Sequence, residues 1–241
     1  MLGRRLLLPL LLLALAAAPA AARPKAQPLD PRSPEVPAGQ RLNVLLERVR
    51  GAQKQLRTMT AEFVQERETA LLAEPETARG TFYFAAPDRV RWAYRSPNPM
   101  QVVIDRQEMV TWYQDLGRAE RVQIGHYADQ VMKYLGASNS LDLLSQYFTL
   151  AVTFPKDTSR PYELALTPRF ARVAKKLKAM HVWIDPQLYL PVRLRYEEPD
   201  GDVTEYRFEK VRVNDHLPAD TFVLKLPPGT PVKTVAVGRG R

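Results

Sequence analysis

The side chains that could carry out catalysis or bind a metal are few and far apart in this sequence. The three histidines, His126, His181 and His216, lack the spacing of metal ligands. Glu197 and Glu198 are adjacent, so on a strand they would point to opposite faces and make a poor acid–base pair. The sequence contains no nucleophile elbow, phosphate-binding loop or dinucleotide fingerprint. We therefore predict that the protein is not an enzyme and uses neither a cofactor nor a metal.

A group of carboxylates in the C-terminal third resembles part of a calcium loop. Asp200, Asp202 and Glu205 could supply oxygen ligands, but the rest of the loop pattern is missing. Asp200-Gly201 lies between two predicted strands, where this dipeptide is a strong signal for a hairpin turn. We interpret these carboxylates as part of a turn rather than a metal site.

The N-terminal residues predict export. Arg4 and Arg5 precede an apolar run over residues 6–18, and Ala20-Ala21-Ala22 supplies the small residues of a cleavage site. The apolar run is short for a membrane span, so we predict a signal peptide over residues 1–22. The chain has no cysteine, which excludes both disulfides and a lipid anchor on cysteine.

The chain is basic, with a formal net charge of +9 that falls to +7 once Arg4 and Arg5 leave with the signal peptide. Its densest group of cations consists of Arg169, Arg172, Lys175, Lys176 and Lys178. An exported protein rarely meets nucleic acid, so we expect no nucleic-acid partner. A solvated basic loop, docking on anionic headgroups and docking on an acidic partner all remain open for this group.

Hydrophobic periodicity indicates one domain over residues 41–232, after a Pro-rich, disordered leader over 23–40 and before a flexible basic tail over 233–241. Residues 41–59 have the spacing of an amphipathic helix, and 126–136 and 141–147 also have helical spacing. The predicted strands are 60–67, 80–86, 89–94, 100–104, 109–113, 121–124, 148–154, 162–166, 178–184, 189–196, 203–208 and 222–226. This pattern predicts a long antiparallel sheet with a few helices set against it.

The segment 80–94 is rich in aromatic residues. Phe82 and Phe84 share one face of its first strand, and Val90, Trp92 and Tyr94 share one face of the second. So much aromatic surface must be covered by another sheet, a helix or an apolar ligand. An open, curved sheet can hold an apolar cavity, and helices such as those predicted over 126–147 could cap it.

The sequence resembles a known family, the periplasmic outer-membrane lipoprotein carriers (LolA). The resemblance covers nearly the whole mature domain. The residues that carry it are, in order, Phe63-x-Gln65, Gly80-x-Phe82-x-Phe84, Pro87, Arg91-Trp92-x-Tyr94, Pro97, Gln101-Val102-Val103-Ile104, Trp112-Tyr113, Leu166-x-Pro168, Asp200-Gly201, Asn214-x-x-Leu217-Pro218, Phe222 and Pro228-Gly229-x-x-Val232. The Arg-Trp-x-Tyr segment and the run from Phe222 to Pro228-Gly229 are the most specific of these together.

The resemblance implies a mainly β fold with some α, a half-open antiparallel β-barrel capped by a helical lid, with the N-terminal amphipathic helix. It also implies a periplasmic chaperone that works as a monomer, without a cofactor. Its partners would be acylated lipoproteins, an inner-membrane ABC-type lipoprotein-releasing complex and an outer-membrane receptor lipoprotein. The same fold leaves open an alternative, a lipid-binding or envelope-stress-sensing regulatory module.

On this basis we predict which side chains bind lipid. Two groups would close on each other when the cavity is empty, one on the sheet and one on the lid. The sheet group is Phe82, Phe84, Val90, Trp92 and Val103, and the lid group is Met132, Leu135, Leu143 and Leu144. Many family members carry an arginine before the proline that ends the second strand, and it is thought to latch the lid. Here that position is Ala86, and Arg89 or Arg91 would be the substitutes.

Overall fold

A computed structural model of the protein describes residues 29–70, 72–124 and 145–235. Its main feature is one twelve-stranded sheet with the order β12-β6-β5-β4-β3-β2-β1-β11-β10-β9-β8-β7. The strands are β1 (Thr58–Glu68), β2 (Glu76–Ala85), β3 (Arg89–Ser96), β4 (Met100–Asp105), β5 (Glu108–Tyr113), β6 (Arg118–Gln123), β7 (Phe148–Thr153), β8 (Tyr162–Pro168), β9 (Ala179–Ile184), β10 (Pro191–Glu197), β11 (Val203–Val213) and β12 (Val232–Val235). Because β12 and β7 are two separate edges, the sheet is not closed.

Two antiparallel meanders make up this sheet. Strands β1 to β6 form the first and β7 to β11 the second, and pairing of β1 with β11 joins them. Strands β6 and β7 lie toward opposite edges of the sheet. The predicted antiparallel sheet is confirmed, and among the described strands one pair departs from it, because β12 pairs with β6 in parallel. The lid predicted over 126–147 lies almost entirely outside the described residues.

The predicted Asp200-Gly201 turn is confirmed between β10 and β11. Gly201 has a φ of 95°, a left-handed conformation that glycine adopts without steric cost. Its N–H donates to the Glu198 carbonyl over 3.0 Å. The turn fixes the register in which Tyr196 faces Thr204 and Leu194 faces Tyr206, so it decides which side chains of these strands share a face.

The two faces of the sheet differ in chemistry. We call the face that carries Phe82, Trp92, Val182 and Leu194 the inner face, and the other the outer face. On the inner face, two apolar clusters form the core, one on β1 to β4 and one on β8 and β9. Along β10 and β11, charged side chains on the outer face alternate with apolar side chains on the inner face, as expected for a sheet with one face toward solvent.

One helix, α1 (Arg41–Gln55), packs on the inner face. Its buried residues Leu45, Leu46 and Val49 join the cluster on β8 and β9, as the predicted amphipathic spacing requires. The helix ends before the predicted residue 59, because β1 already begins at Thr58 and pairs with β2 there. A second, single-turn helix, α2 (Ala171–Ala174), lies within the basic group.

Both predicted termini of the domain need correction. Residues 29–40 are not a disordered leader, since Val36 is only 4% exposed and the Arg32 guanidinium donates to the Thr158 carbonyl over 3.0 Å. The tail begins later than residue 233, because β12 extends to Val235. The predicted strand over 222–226 is also wrong, since this stretch is irregular and crosses the outer face of the sheet.

The described residues contain neither a helix long and apolar enough to cross a membrane nor a group of three acidic, histidine or cysteine side chains placed to hold a metal.

Candidate binding cavity

A cavity of about 1020 Å³ lies between the inner face and α1. Such a volume is at the upper end of the range for sites that bind small apolar ligands. Side chains from α1, from both meanders and from the loop after β8 line it: Val49, Gln53, Leu56, Met59, Phe82, Trp92, Tyr94, Val102, Ile104, Phe148, Leu164, Leu166, Arg172, Val173, Lys176, Leu177, Met180, Val182, Ile184, Leu190, Pro191, Leu194, Tyr196, Glu198, Tyr206 and Phe208. Most of these are apolar, so the cavity suits an aliphatic ligand.

Trp92 is the centre of the aromatic wall of this cavity. Its ring centroid lies 4.7 Å from that of Phe82, 4.8 Å from Phe63, 5.4 Å from Tyr206 and 5.7 Å from Phe208. Three of these contacts are edge-to-face, the arrangement that aromatic rings prefer. Side chains of β1 and β11 thus cover part of the aromatic surface predicted from residues 80–94. The rest of that surface lines the cavity.

The cavity has one apolar end and one polar end. Its lining near α1 and β4 includes buried, apolar Val49, Met59 and Ile104. At the other end, Arg172 and Lys176 both line the cavity and are exposed to solvent, so the cavity opens there. We call this end of the sheet, where β8 leads into the loop 169–178, the open end.

Tyrosine hydroxyls lie inside the polar end. Burial raises the pKa of both Tyr94 and Tyr206, so these phenols stay protonated and neutral. The Tyr94 and Tyr206 hydroxyls lie close enough to share a hydrogen bond, and Tyr196 lies close to both. Because one hydrogen bond between two phenols uses only one of their two protons, the other proton remains available for another acceptor.

The structure brings some of the predicted sheet residues to the cavity and not others. Phe82 and Trp92 line it. Phe84 and Val90 lie on the same face but are buried in the cluster beside it, where they pair with each other across β2 and β3. Val103 faces the other way: it pairs with Arg91 and packs with Ala85 and Phe222 on the outer face.

Val102 and Ile104 therefore take the cavity positions of β4. The four predicted lid residues, Met132, Leu135, Leu143 and Leu144, lie outside the described residues.

Arginines on the outer face hold the segment that follows β11. Arg91 Nη1 donates to the Thr221 carbonyl over 2.7 Å, and Arg91 Nη2 donates to Gln101 Oε1. The guanidinium carbon of Arg89 lies 5.0 Å from the Phe222 ring centroid, a cation–π contact. Arg89 and Arg91 thus lie on the outer face, away from the cavity, and whether either replaces a lid latch at Ala86 stays a prediction, because the lid lies outside the described residues.

The sequence analysis did not predict the part of the cavity wall that the second meander supplies. Leu164, Leu166, Val182 and Leu194 belong to predicted strands, but no argument placed them on the same face as Phe82 and Trp92. The alternation of apolar residues within 162–166 and 178–184 was an available signal for an inner face. What the sequence did not show was the pairing of β1 with β11, which joins the two meanders around one cavity.

Among the possible catalytic side chains that the structure describes, Glu198 lines the cavity, and the others lie away from it. Glu205 accepts hydrogen bonds from Arg193 Nε over 2.9 Å and from Arg207 Nη1 over 2.8 Å. Burial acts to raise the pKa of Glu205, but these two arginines hold it below its ordinary value. His181 Nδ1 lies 2.9 Å from Glu163 Oε1 on the outer face of the second meander. His216 is exposed, and His126 lies outside the described residues.

Comparison with known proteins agrees with this architecture. Residues 54–225 match the family model of the outer membrane lipoprotein carrier protein LolA. The chain is 31% identical to the outer-membrane lipoprotein carrier protein of Alkalilimnicola ehrlichii over 170 residues, 69% of this chain and 72% of that relative.

Solved structures superpose on this chain at low sequence identity. A conserved protein of Thermus thermophilus superposes with a TM-score of 0.52 at 13% identity, over 80% of this chain and 99% of that one, and supports the fold alone. The lipoprotein LppX of Mycobacterium tuberculosis gives a TM-score of 0.46 at 15% identity, over 74% and 99% of the two chains.

Proposed function

We propose that this chain, which belongs to the LolA family of outer membrane lipoprotein carrier proteins, is a periplasmic chaperone for lipoproteins. It binds the acyl chains of its cargo and carries them from the inner to the outer membrane. The observation that supports this most directly is the apolar cavity of about 1020 Å³ that opens at one end of the sheet.

A magnitude explains why such a cargo needs a carrier. Each methylene moved out of water is worth about 0.8 kcal/mol, so an acyl chain of about 15 methylenes exposes roughly 12 kcal/mol of apolar surface. A lipoprotein with more than one chain would not cross an aqueous compartment at a useful rate. The inner face removes that surface from water, and the lid residues Met132, Leu135, Leu143 and Leu144 would complete the cover.

The polarity of the cavity sets the orientation of the cargo. The aliphatic chains lie toward Val49, Met59 and Ile104, and the ester and amide carbonyls lie at the open end. There the free phenolic proton of the Tyr94–Tyr206 pair forms a hydrogen bond with a carbonyl oxygen of the cargo. The protein part of the lipoprotein remains outside, next to Arg172 and Lys176.

The transport cycle begins at the inner membrane and ends at the outer membrane. Residues 1–22 direct export and are removed, and an ABC-type lipoprotein-releasing complex of the inner membrane loads the cavity. An outer-membrane receptor lipoprotein then accepts the cargo. No step of this cycle makes or breaks a covalent bond in the cargo, so the protein acts as a chaperone and not as an enzyme.

Depletion of the protein in its host tests the role in the cell. Lipoproteins destined for the outer membrane should accumulate in the inner membrane, as measured by membrane fractionation. Unchanged sorting after depletion would contradict the carrier function.

A matched pair of variants tests the cavity. Val102→Asn places an amide in the apolar wall, and an unpaired buried amide costs about 1–3 kcal/mol, so affinity for a triacylated lipopeptide should fall about 10- to 100-fold. Val223→Asn makes the same chemical change on the outer surface, where the side chain is 53% exposed, and should leave affinity unchanged. Equal affinities of the two variants would show that the acyl chains bind elsewhere.

A further inference from the structure

Two aromatic side chains are exposed beside the opening of the cavity. Phe170 is 45% exposed and Tyr147 is 37% exposed, and their rings meet edge to face with centroids 6.2 Å apart. The guanidinium carbon of Arg172 lies 5.6 Å from the Phe170 ring and 5.9 Å from the Tyr147 ring. Together with Lys175 and Lys176, these three residues form what we call the rim surface.

The rim surface has an excess of unpaired positive charge. Of the five cations between residues 169 and 178, Lys178 pairs with Glu197 over 2.7 Å. Arg169 Nε donates to the Phe148 carbonyl over 3.0 Å, which leaves its charge uncompensated. Within the described parts of the chain, no carboxylate lies within ion-pair distance of Arg172, Lys175 or Lys176.

The position of the rim surface ties it to the cavity. Arg172 and Lys176 belong both to the rim surface and to the cavity lining. A flat partner that touched Phe170 and Lys175 would therefore lie directly against the opening.

Exposed aromatics surrounded by lysine and arginine are typical of protein surfaces that rest on a lipid bilayer. The rings favour the interface between headgroups and acyl chains, and the cations favour anionic headgroups. We propose that the rim surface docks the free protein on a membrane rich in anionic phospholipid, with the open end of the cavity facing the bilayer. An acidic protein partner would use the cations but would not need an exposed aromatic pair at the cavity mouth.

Vesicle binding tests this proposal without any lipoprotein present, so its outcome does not depend on whether the cavity carries acyl chains. The purified full-length mature protein is sedimented with vesicles of phosphatidylcholine alone or with phosphatidylglycerol added at a third of the lipid. We expect binding to the anionic vesicles only, with an affinity that falls as salt is raised. Absence of binding, or equal binding to both vesicles, would overturn the proposal.

Two pairs of variants locate the contact. Each cation near an anionic surface contributes about 1 kcal/mol, so Lys175→Gln with Lys176→Gln should weaken binding roughly 30-fold. Lys54→Gln with Lys156→Gln removes the same charge from exposed positions at the opposite end of the sheet and should have a much smaller effect. Equal losses in the two double variants would show that net charge alone drives binding, and would refute a specific rim surface.

The aromatic contribution is tested in the same assay. Phe170→Ser should weaken binding to anionic vesicles about tenfold, because a partly buried phenyl ring is worth on the order of 1.5 kcal/mol. Val223→Ser removes an exposed apolar side chain far from the rim surface and should bind as the wild type does. Circular dichroism of each variant checks that the fold is intact, and unaltered binding by Phe170→Ser would contradict insertion of the ring.

Discussion

Replacement of Gly80 by alanine should destabilise the protein, because the added methyl group has no room. Gly80 lies on the inner face of β2, opposite Phe63 on β1 and Tyr94 on β3. A methyl group at this position would lie 2.6 Å from two atoms of the Phe63 ring and would collide with the Ala93 carbonyl oxygen. The Phe63 ring cannot easily move away, because it is 1% exposed and its centroid is 4.8 Å from that of Trp92.

The size of the effect follows from this geometry. Overpacking of a core costs about 1–3 kcal/mol, and a clash with both a backbone oxygen and a fixed ring belongs at the upper end. A loss of about 3 kcal/mol in the free energy of unfolding corresponds to a decrease in Tm of roughly 6–12 °C for a domain of this size. Urea denaturation followed by far-ultraviolet circular dichroism measures the former, and thermal melting the latter.

Gly51→Ala is the matched control. Gly51 lies inside α1, and an added methyl group there meets no atom within 4 Å. Alanine in place of glycine within a helix should raise stability by roughly 0.5–1 kcal/mol. In a Phe63→Leu background, Gly80→Ala should cost less than in the wild type, since part of the clash is gone. A Gly80→Ala protein as stable as the wild type would refute the close approach of Phe63 to the β2 backbone.

Three further changes have defined outcomes. Arg91→Leu removes the hydrogen bond to the Thr221 carbonyl, so amide hydrogen exchange over residues 217–225 should become faster while exchange in α1 is unchanged. The same exchange rate over residues 217–225 in the variant and the wild type would contradict an anchoring role. Glu205→Gln should be less stable than the wild type at neutral pH. Because the pKa of Glu205 in the folded protein is below its ordinary value, this difference in the free energy of unfolding should shrink as the pH falls below the ordinary range of a glutamate. A difference that does not depend on pH would refute this. Replacement of both Tyr94 and Tyr206 by phenylalanine should weaken binding of a triacylated lipopeptide about three- to tenfold, as expected for one lost hydrogen bond to the cargo, and should not change binding of a pure hydrocarbon. Equal losses for both ligands would exclude a carbonyl contact.

Local patterns in the sequence were sufficient for most strands and for one turn. Alternating side chains marked the two strands of residues 80–94, and Asp200-Gly201 marked the hairpin between β10 and β11. In each case the structure is set by neighbours in sequence: the side-chain period of a strand, and the φ of 95° that Gly201 adopts.

Long-range contacts account for what the sequence did not reveal. Val102-Val103-Ile104 is a continuous apolar run, which has no polar position to mark the solvent side. Val103 is buried because Phe222, more than a hundred residues later, covers the outer face of β4 there. Residues 29–40 have the composition of a disordered segment, yet the Tyr162 hydroxyl donates to Asp30 Oδ1 over 3.0 Å and orders its N-terminal part.

The positions of the three tryptophans allow a direct test of acyl-chain binding in the cavity. Trp92 lines the cavity, whereas Trp112 pairs with Gln101 and Trp183 with Glu163 on the outer face. Three proteins that each keep one tryptophan, with phenylalanine at the other two positions, are titrated with a triacylated lipopeptide whose acyl chains carry bromine. If acyl chains bind in the cavity, Trp92 fluorescence should show saturable quenching, and that of Trp112 or Trp183 should change little. Quenching of either outer tryptophan without quenching of Trp92 would contradict binding in the cavity.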